Sequence, residues 1–192
     1  MTDNFEHIKS ILTFENSDDF YHLQIIKRRK ENPNMKSHSS VIKEYYISSL
    51  DYLDNKRDEI ISLCNYNNAR ACINLNKRSY NKIALNTLKE ISDMILKGNP
   101  KGARKAYSSA CGKYSNDKNK KWILDVDEES VDKDMLKFIN EECMPEGNKV
   151  YEIIKTKNGF HVITKPFDLR EFKSRYTEIE IKKDNPTILY VD

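Results

Sequence analysis

The chain has 192 residues, of which 38% are apolar and 33% are charged, with 33 Lys and Arg against 30 Asp and Glu. This length suffices for one domain or two small interlocked lobes around a hydrophobic core, and it excludes a multi-domain machine. The net charge of +3 is too small to hold a polyanion by itself, so any basic surface has to be local.

No stretch approaches 18 consecutive apolar residues, and the first residues form neither a basic nor an apolar leader. We therefore expect a soluble, cytoplasmic protein without membrane contact. The four cysteines follow no C-x-x-C or zinc-ribbon spacing, and they are Cys64, Cys72, Cys111 and Cys143. Reduced and buried thiols are expected from such a pattern.

The first half of the chain predicts alternating helices and strands from its hydrophobic spacing. In chain order these are a short helix over 3–13, a strand over 19–29 that runs into a basic loop, a strand over 41–49, a helix over 50–63, a strand over 69–75, a long helix that ends at Gly98, and a basic helix that carries Lys101, Arg104, Lys105 and Lys113.

The second half predicts a strand over 120–127, a helix over 131–143, strands over 149–156 and 160–165 joined by a turn, a helix over 168–176 and a strand over 187–191. This β-α-β-β-α-β order is that of the split βαβ or ferredoxin-like unit. The predicted fold class is therefore α+β with two packed lobes, an N-terminal α/β lobe over 1–117 and a ferredoxin-like lobe over 118–192. They meet at the polar segment 115–119.

The ferredoxin-like topology predicts that three polar side chains converge. Its first and third strands lie side by side and antiparallel, so the end of the first faces the start of the third. Asp125 and Asp127 end the first strand, and His161 begins the third. Because side chains alternate along a strand, the two carboxylates share a face, which we expect to be the one left open by the helices.

Two carboxylates about 7 Å apart on a strand can hold one or two Mg²⁺ or Mn²⁺ ions, which also bind phosphates. Such ions activate an attacking hydroxyl and neutralise a leaving pyrophosphate, while a histidine binds a triphosphate or donates a proton. The same residues also fit structural roles. Asp125 and Asp127 suit a strand end and a helix cap, and His161 suits a hydrogen-bonded position in a hairpin.

Two segments resemble the first two motifs of the archaeo-eukaryotic primase superfamily. The segment Trp122–Asp127 (WILDVD) is a hydrophobic strand that ends in Asp-x-Asp, and Thr156–Ile163 (TKNGFHVI) carries Gly-x-His on the following hairpin. The resemblance implies an N-terminal α/β lobe joined to an RNA-recognition-motif-like lobe. It also implies that Asp125 and Asp127 bind the catalytic Mg²⁺ or Mn²⁺ ions and that His161 contacts the phosphates of the incoming nucleotide.

A third motif of this superfamily is an apolar residue followed by a metal-binding Asp on a later strand. Val191 and Asp192 fit the letters but lie at the end of the sequence. If the last predicted strand runs antiparallel beside the first, Asp184 at its beginning lies near the other two carboxylates. We therefore expect Asp184 as the third metal ligand, with Asp168 and Asp192 as alternatives.

Basic residues complete the predicted site. Lys77 and Arg78 follow a strand and precede a helix, where side chains and the helix N-terminus bind phosphate. A track for nucleic acid is expected along Lys157, Lys165, Arg104 and Lys105. Arg70, on an apolar strand, either pairs with an acid or points into the cleft. The predicted nucleotide- and phosphate-binding set is thus Lys77, Arg78, Lys157, Lys165 and Arg70.

The sequence therefore predicts a metal-dependent nucleotidyltransferase that resembles primase-polymerases. It would extend a nucleic-acid 3′ end or begin a primer, with nucleoside triphosphates and a single-stranded template as partners. Because the chain is too short to include a helicase module, a separate helicase would supply unwinding. Two alternatives remain: a catalytically inactive module that binds nucleotide or nucleic acid, and a metal-dependent phosphoesterase that uses the same Asp and His residues with water as the nucleophile.

Overall fold

A computed structural model describes residues 1–115 and 117–192, so residue 116 of the predicted polar link lies outside the described part. The fold is mixed α+β with two antiparallel sheets. The strands are β1 (Thr2–Asp3), β2 (Asp19–Arg28), β3 (Ser39–Ile47), β4 (Arg70–Asn74), β5 (Arg78–Ser79), β6 (Trp122–Val126), β7 (Val150–Lys155), β8 (Phe160–Thr164), β9 (Glu180–Lys182) and β10 (Pro186–Val191). The helices are α1 (Phe5–Ile11), α2 (Leu50–Asn67), α3 (Tyr80–Leu96), α4 (Ala106–Lys113), α5 (Lys133–Glu141) and α6 (Leu169–Arg175), and Pro100–Lys105 is a 3₁₀ helix.

The first sheet has the strand order β1-β10-β4-β2-β3, and β5 pairs with the start of β2. One face of β2 buries Tyr21, Leu23 and Ile25 in a core that includes side chains of α1 and α2. Helix α2 begins at Ser49, whose side chain accepts a hydrogen bond from the amide of Tyr52, and it ends at Asn68 in the left-handed conformation. These caps fix where α2 begins and ends.

The second sheet has the order β7-β8-β6-β9, with every neighbouring pair antiparallel. Leu124 and Val126 of β6 pack with Met135 of α5 and Phe172 of α6, so these helices cover one face. Both helices have an aspartate cap: Asp132 for α5 and Asp168 for α6. The pairing of β6 with β8 puts Asp125 directly opposite His161, as predicted from the strand order.

The end of the chain corrects the predicted topology. The segment predicted as the last strand of the second unit is β10, and it lies in the first sheet between β1 and β4. The fourth strand of the second sheet is instead the three-residue β9, which the sequence analysis missed. Thr187–Val191 is buried throughout, which suits a strand enclosed on both faces, whereas a three-residue strand has little pattern of its own.

The two sheets share a core, so the other face of the second sheet is not fully open as predicted. Ile123 of β6 and Ile163 of β8 pack in the same buried cluster as Leu23 of the first sheet and Leu189 of β10. The face of the second sheet that was expected to be open is exposed only near the end of β6. The four cysteines are free and buried, as expected. Within the described ranges, no helix has the length and apolarity that a bilayer crossing requires.

Candidate functional site

A cleft of about 730 Å³ lies where the C-terminal end of β6 meets the first sheet. The second sheet contributes Asp125, Asp127 and His161, and its hairpin turn contributes Lys157. Lys182 of β9 completes this wall. The three side chains that the sequence predicted to converge therefore line a single cleft.

The carboxylate of Asp125 is half-buried and both of its oxygens have partners. Oδ1 lies 3.2 Å from Nε2 of His161, and Oδ2 accepts a hydrogen bond from the ammonium group of Lys182. Both partners carry N–H groups, so each oxygen of Asp125 acts as an acceptor. The carboxylate is thereby fixed in orientation at the mouth of the cleft.

His161 is buried and connects the two sheets. Its Nδ1 lies 2.7 Å from Oγ1 of Thr187 on β10, so the corrected position of β10 is what orients the ring. Burial lowers the pKa of His161, although the nearby Asp125 opposes the shift. The ring is therefore neutral at pH 7, and because a carboxylate can only accept, the proton lies on Nε2 and Nδ1 accepts from Thr187.

Asp127 follows β6 and is exposed to the cleft. Its backbone lies against the hairpin turn at Gly159, where an added Cβ would come within 2.1 Å of the carbonyl oxygen of Val126 and 3.0 Å of Cα of Asp127. The turn is also closed by the amide of Gly159, which donates to Oγ1 of Thr156. Only glycine allows this approach, so the glycine of the Gly-x-His motif serves to position Asp127.

The first sheet supplies the opposite wall of the cleft. Arg70 of β4 lines the cleft and is also paired with Glu31. The two predicted alternatives for Arg70, an acidic partner and a place in the cleft, are therefore both observed. Arg28 and Cys72 lie on the same wall. Burial raises the pKa of Cys72 to about 11, so this thiol is protonated at neutral pH and is a weak nucleophile.

Lys77 and Arg78, predicted to bind phosphate, do not line the cleft. The Lys77 ammonium is buried, 2.8 Å from Oε1 of Glu15 and 3.5 Å from Oδ2 of Asp19. Arg78 is fully buried and pairs with Asp184. Their position before α3 was predicted correctly. Both cations form ion pairs with carboxylates inside the fold, since a buried cation requires a paired carboxylate.

Three further residues that were predicted to contact nucleic acid lie away from the cleft. Lys165 is exposed, with its ammonium 5.7 Å from the ring of Tyr151. Arg104 and Lys105 are exposed on the 3₁₀ helix. None of the three lines the cleft, so of the five residues in the predicted phosphate-binding set the cleft brings together Lys157 and Arg70.

The three candidates for a third carboxylate also lie elsewhere. Asp184 accepts from the guanidinium of Arg78 at 3.1 and 3.2 Å and from the amide of Asn76 at 3.0 Å. Asp168 caps α6, and its hydrogen bonds with Arg170 lower its pKa to about 2. Asp192 is exposed after β10. The expected position of Asp184 depended on the last strand lying beside β6, which is the pairing that the structure corrects.

The strand that does lie beside β6 carries two residues that the sequence analysis missed. In β9, Glu180 pairs with Asp125 and Lys182 pairs with Ile123, so Glu180 projects from the same face as Asp125. The Lys182 ammonium lies 3.6 Å from Glu180 as well. The alternation of charged and apolar residues over 178–182 (EIEIK) is the period-two signal that would have revealed this strand.

The carboxylate oxygens in the cleft fit a hard divalent cation that also coordinates phosphate oxygens. Within 1–115 and 117–192, no group of three His, Cys, Asp or Glu side chains forms a ready cage for a metal. Mg²⁺ usually takes one or two carboxylates and completes its octahedron with water and substrate phosphates. Asp125 and Asp127 supply two carboxylates of this kind, provided that the Lys182 ammonium yields its oxygen of Asp125.

Comparisons of this chain with protein-family models, with curated protein sequences and with solved structures found no match.

Proposed function

We propose that this protein is a metal-dependent nucleotidyltransferase of the primase-polymerase type, which extends a nucleic-acid 3′ end or begins a primer from nucleoside triphosphates. One observation carries the proposal: Asp125, Asp127 and His161 line a single cleft, although 33 residues separate Asp127 from His161 in the chain. The pairing of β6 with β8 brings these three residues together. Two carboxylates and an imidazole in one cleft are suited to binding metal ions and phosphate.

In this proposal Asp125 and Asp127 hold Mg²⁺ or Mn²⁺, which supplies charge neutralisation at the phosphates when bound. The neutral ring of His161 donates through Nε2, and a triphosphate oxygen is the acceptor that replaces Asp125 in the loaded site. Lys157 and Arg70 are the cleft residues that bind the remaining negative charge of the triphosphate. The cleft is bordered by Lys182, whose ammonium moves from Asp125 to a phosphate.

The connectivity of the second sheet supports the same class of protein. Its four strands follow β-α-β-β-α-β in the chain and have the spatial order second, third, first, fourth. We propose that this sheet with α5 and α6 is the ferredoxin-like, RNA-recognition-motif-like unit. The fourth strand of the unit is then β9, and β10 is an addition to the N-terminal lobe.

Glu180 is the residue that we propose as the third acidic group of the site. It pairs with Asp125 in the β6–β9 ladder and follows the apolar residue Ile179, and its side chain is 70% exposed. The Lys182 ammonium lies 3.6 Å from this carboxylate, and once that ammonium moves to a phosphate the exposed carboxylate can turn toward a cation held by Asp125. Asp184 does not have this freedom, because it is bound to the guanidinium of Arg78.

A non-catalytic role in nucleotide binding is favoured by a different observation, namely that the Lys182 ammonium occupies one oxygen of Asp125. If this pair stays closed, the cleft binds phosphate through its cations without holding two metal ions. The two functions predict different products from the same assay, because a binding module shows no turnover.

The test is incorporation of a labelled nucleotide into a primer–template with Mn²⁺. Wild-type protein is expected to extend the primer, and Asp125→Asn and Asp127→Asn are expected to lose at least about 100-fold in rate, as is usual when charge stabilisation at a reacting phosphate is removed. Glu129→Gln, an exposed acid on the adjoining loop, is the matched control and should retain wild-type rate. Equal extension by all four proteins would rule out the proposed site.

A further inference from the structure

The turn between β2 and β3 carries a concentration of positive charge. We define the basic hairpin as residues 27–38 (KRRKENPNMKSH), which contain five Lys and Arg residues and a single carboxylate. Its net charge of +4 exceeds the +3 of the whole chain. The near-neutral composition therefore conceals one strongly basic segment and a remainder with a slight negative balance.

The charge of the basic hairpin is not compensated by acids. Its one carboxylate, Glu31, is paired with Arg70 outside the hairpin. Elsewhere exposed cations do find carboxylates, as Lys43 does with Glu59 and Arg170 with Asp168. Across the part of the chain that the structure describes, no ion pair joins a carboxylate to the hairpin cations, which are Lys27, Arg28, Arg29, Lys30 and Lys36.

The basic hairpin is held in place by the end of α2. Asn68, in the left-handed conformation with φ 46°, donates from its side-chain amide to the carbonyl of Glu31 at 2.9 Å. The amide of Asn32 donates to the carbonyl of Asn68, also at 2.9 Å. These two bonds fix the turn against the body of the protein, so the cations are presented in a defined place, which reduces the entropy lost on binding.

The same segment forms part of the candidate site. Arg28 and Lys30 line the cleft that contains Asp127 and His161, while Arg28, Arg29, Lys30 and Lys36 are all exposed. A polyanion bound to the hairpin can therefore extend directly into the cleft. The carboxylates Asp125 and Asp127 repel an acidic peptide at that point, whereas a nucleic-acid end brings phosphates and divalent cations that these carboxylates attract.

We propose that the basic hairpin binds the phosphate backbone of the single-stranded nucleic acid whose end or copied base lies in the cleft. This inference rests on the proposed function and names the surface that holds its nucleic-acid partner. In this proposal the strand follows the hairpin instead of the predicted track along Lys157, Lys165, Arg104 and Lys105, and of these four Lys157 alone lines the cleft. Exposed cations that hold phosphates act through counterion release, which makes the binding steeply dependent on salt.

The experiment measures binding of a fluorescein-labelled (dT)₂₀ strand by fluorescence anisotropy, without metal or triphosphate. The variant Arg28→Gln/Arg29→Gln/Lys30→Gln removes three hairpin charges, and Lys101→Gln/Arg104→Gln/Lys105→Gln removes three equally exposed charges from the 3₁₀ helix. The hairpin variant is expected to bind at least about tenfold more weakly at 0.1 M salt. Its log–log salt slope should fall by about 2, because each phosphate contact on a single strand contributes about 0.7.

The control variant should lose less than about twofold in affinity. An equal loss in both variants, or an unchanged affinity in the hairpin variant, overturns the inference. In a separate measurement with Mg²⁺ present, polyglutamate at the same charge concentration should compete only weakly. Displacement equal to that by unlabelled (dT)₂₀ also overturns the inference, because the surface would then accept any polyanion.

A failure of the proposed function gives a different result. Asp125→Asn, which is expected to lose incorporation, should bind (dT)₂₀ no more weakly than wild type in the absence of metal, because the substitution removes only negative charge from the cleft. If the wild-type protein binds (dT)₂₀ through the hairpin but incorporates no nucleotide, the proposed enzymatic function is wrong and the proposed nucleic-acid surface stands. The opposite result is incorporation at the wild-type rate by the hairpin variant, at strand concentrations below the dissociation constant of the wild-type protein. The hairpin is then not the binding surface, and the proposed enzymatic function stands.

Discussion

His161 Nε2 lies 3.2 Å from Oδ1 of Asp125, across the ladder that joins β6 to β8. The other oxygen of Asp125 accepts from Lys182, so this carboxylate has no vacant oxygen until a ligand displaces a neighbour. Asp127, two residues on, is exposed. The pair of carboxylates thus combines one fixed group with one free group.

Ligand-dependent stability tests this arrangement without requiring turnover. Addition of Mn²⁺ with a non-hydrolysable triphosphate at about 100 times its Kd is expected to stabilise the fold by about 2.7 kcal/mol, which raises Tm by roughly 5–10 °C in a chain of this size. Asp127→Asn should lose most of that increase and keep the unliganded Tm, because the side chain is exposed. Glu129→Gln should retain the increase. A shift of full size in Asp127→Asn excludes this carboxylate as a ligand.

Gly159 is expected to tolerate no side chain. In Gly159→Ala the new Cβ meets the carbonyl oxygen of Val126 at 2.1 Å, and since that atom belongs to the backbone of β6, the hairpin has to move. We expect a loss of about 2 kcal/mol in unfolding free energy, a typical cost of overpacking, and displacement of Asp127.

Gly112→Ala is the matched control for Gly159→Ala. This glycine lies in α4, and a Cβ added to it would meet no atom within 4 Å, so alanine should leave stability unchanged or raise it by about 0.5–1 kcal/mol. Urea denaturation measures both variants. Equal stability of the two would show that the close approach at Gly159 does not constrain the fold.

The convergence of Asp125, Asp127 and His161 was predictable because it depends on local signals. A strand pattern, a hairpin turn and the β-α-β-β order fix which ends of β6 and β8 meet, and period-two alternation fixes the shared face. These are properties of short segments and of their order. The Asp125–His161 register observed in the ladder agrees with them.

The partner of a terminal strand was not predictable in the same way. β9 and β10 are separated by three residues yet belong to different sheets, and nothing in a local pattern selects one sheet over another. Burial on both faces of β10 decides its position. The role of Asp184 depended on that choice, and so did the discovery of Thr187 as the hydrogen-bond partner of His161.

The basic hairpin shows a related limit. Its charges are evident in the sequence, but their contribution to a site depends on β2 pairing with β4, which puts Arg28 and Arg70 on one wall of the cleft. Charge counts predict that a basic surface exists. They do not predict which carboxylates neutralise it, and here Glu31 is the only acid within the segment.

Acid should destabilise the protein through Glu44 of β3. The largest cause of the lowered pKa of Glu44, about 2, is the ring of His22, whose Nε2 lies 3.5 Å from Oε1 of Glu44. Hydrogen bonds from Ser108 and Gln24 add to the shift, and burial opposes it. A carboxyl whose pKa is lower in the folded state stabilises the fold above its ordinary value of 4.5, and this stabilisation is lost as the pH falls toward 2.

The corresponding variant is Glu44→Gln, compared with Glu129→Gln by urea denaturation at pH 7 and pH 3. We expect Glu44→Gln to be less stable at pH 7 by up to about 3 kcal/mol and to lose less stability than wild type on acidification. Glu129→Gln should follow the wild-type dependence. The same loss on acidification in Glu44→Gln and wild type would contradict the assignment.

Asp184 and Glu180 separate the structural carboxylate from the one that we propose to act at the metal. Asp184 is 30% exposed but holds the fully buried guanidinium of Arg78, so Asp184→Asn leaves a buried cation without its charge partner. We expect a loss of about 1–3 kcal/mol in unfolding free energy, with incorporation per folded molecule close to wild type. Glu180→Gln should give the reverse, because its exposed side chain contributes little to stability and its charge is the one that we propose to act on the cation.

The measurement pairs urea denaturation with the Mn²⁺ dependence of incorporation at a temperature where all the proteins are folded. Glu180→Gln should require at least several-fold more Mn²⁺ for half-maximal rate, and Asp184→Asn should show the wild-type requirement. A raised Mn²⁺ requirement in Asp184→Asn with unchanged stability would assign the third carboxylate to the position expected from the sequence. That outcome would also require β9 to leave β6, since the Glu180–Asp125 pairing puts Asp184 at the opposite end of the strand.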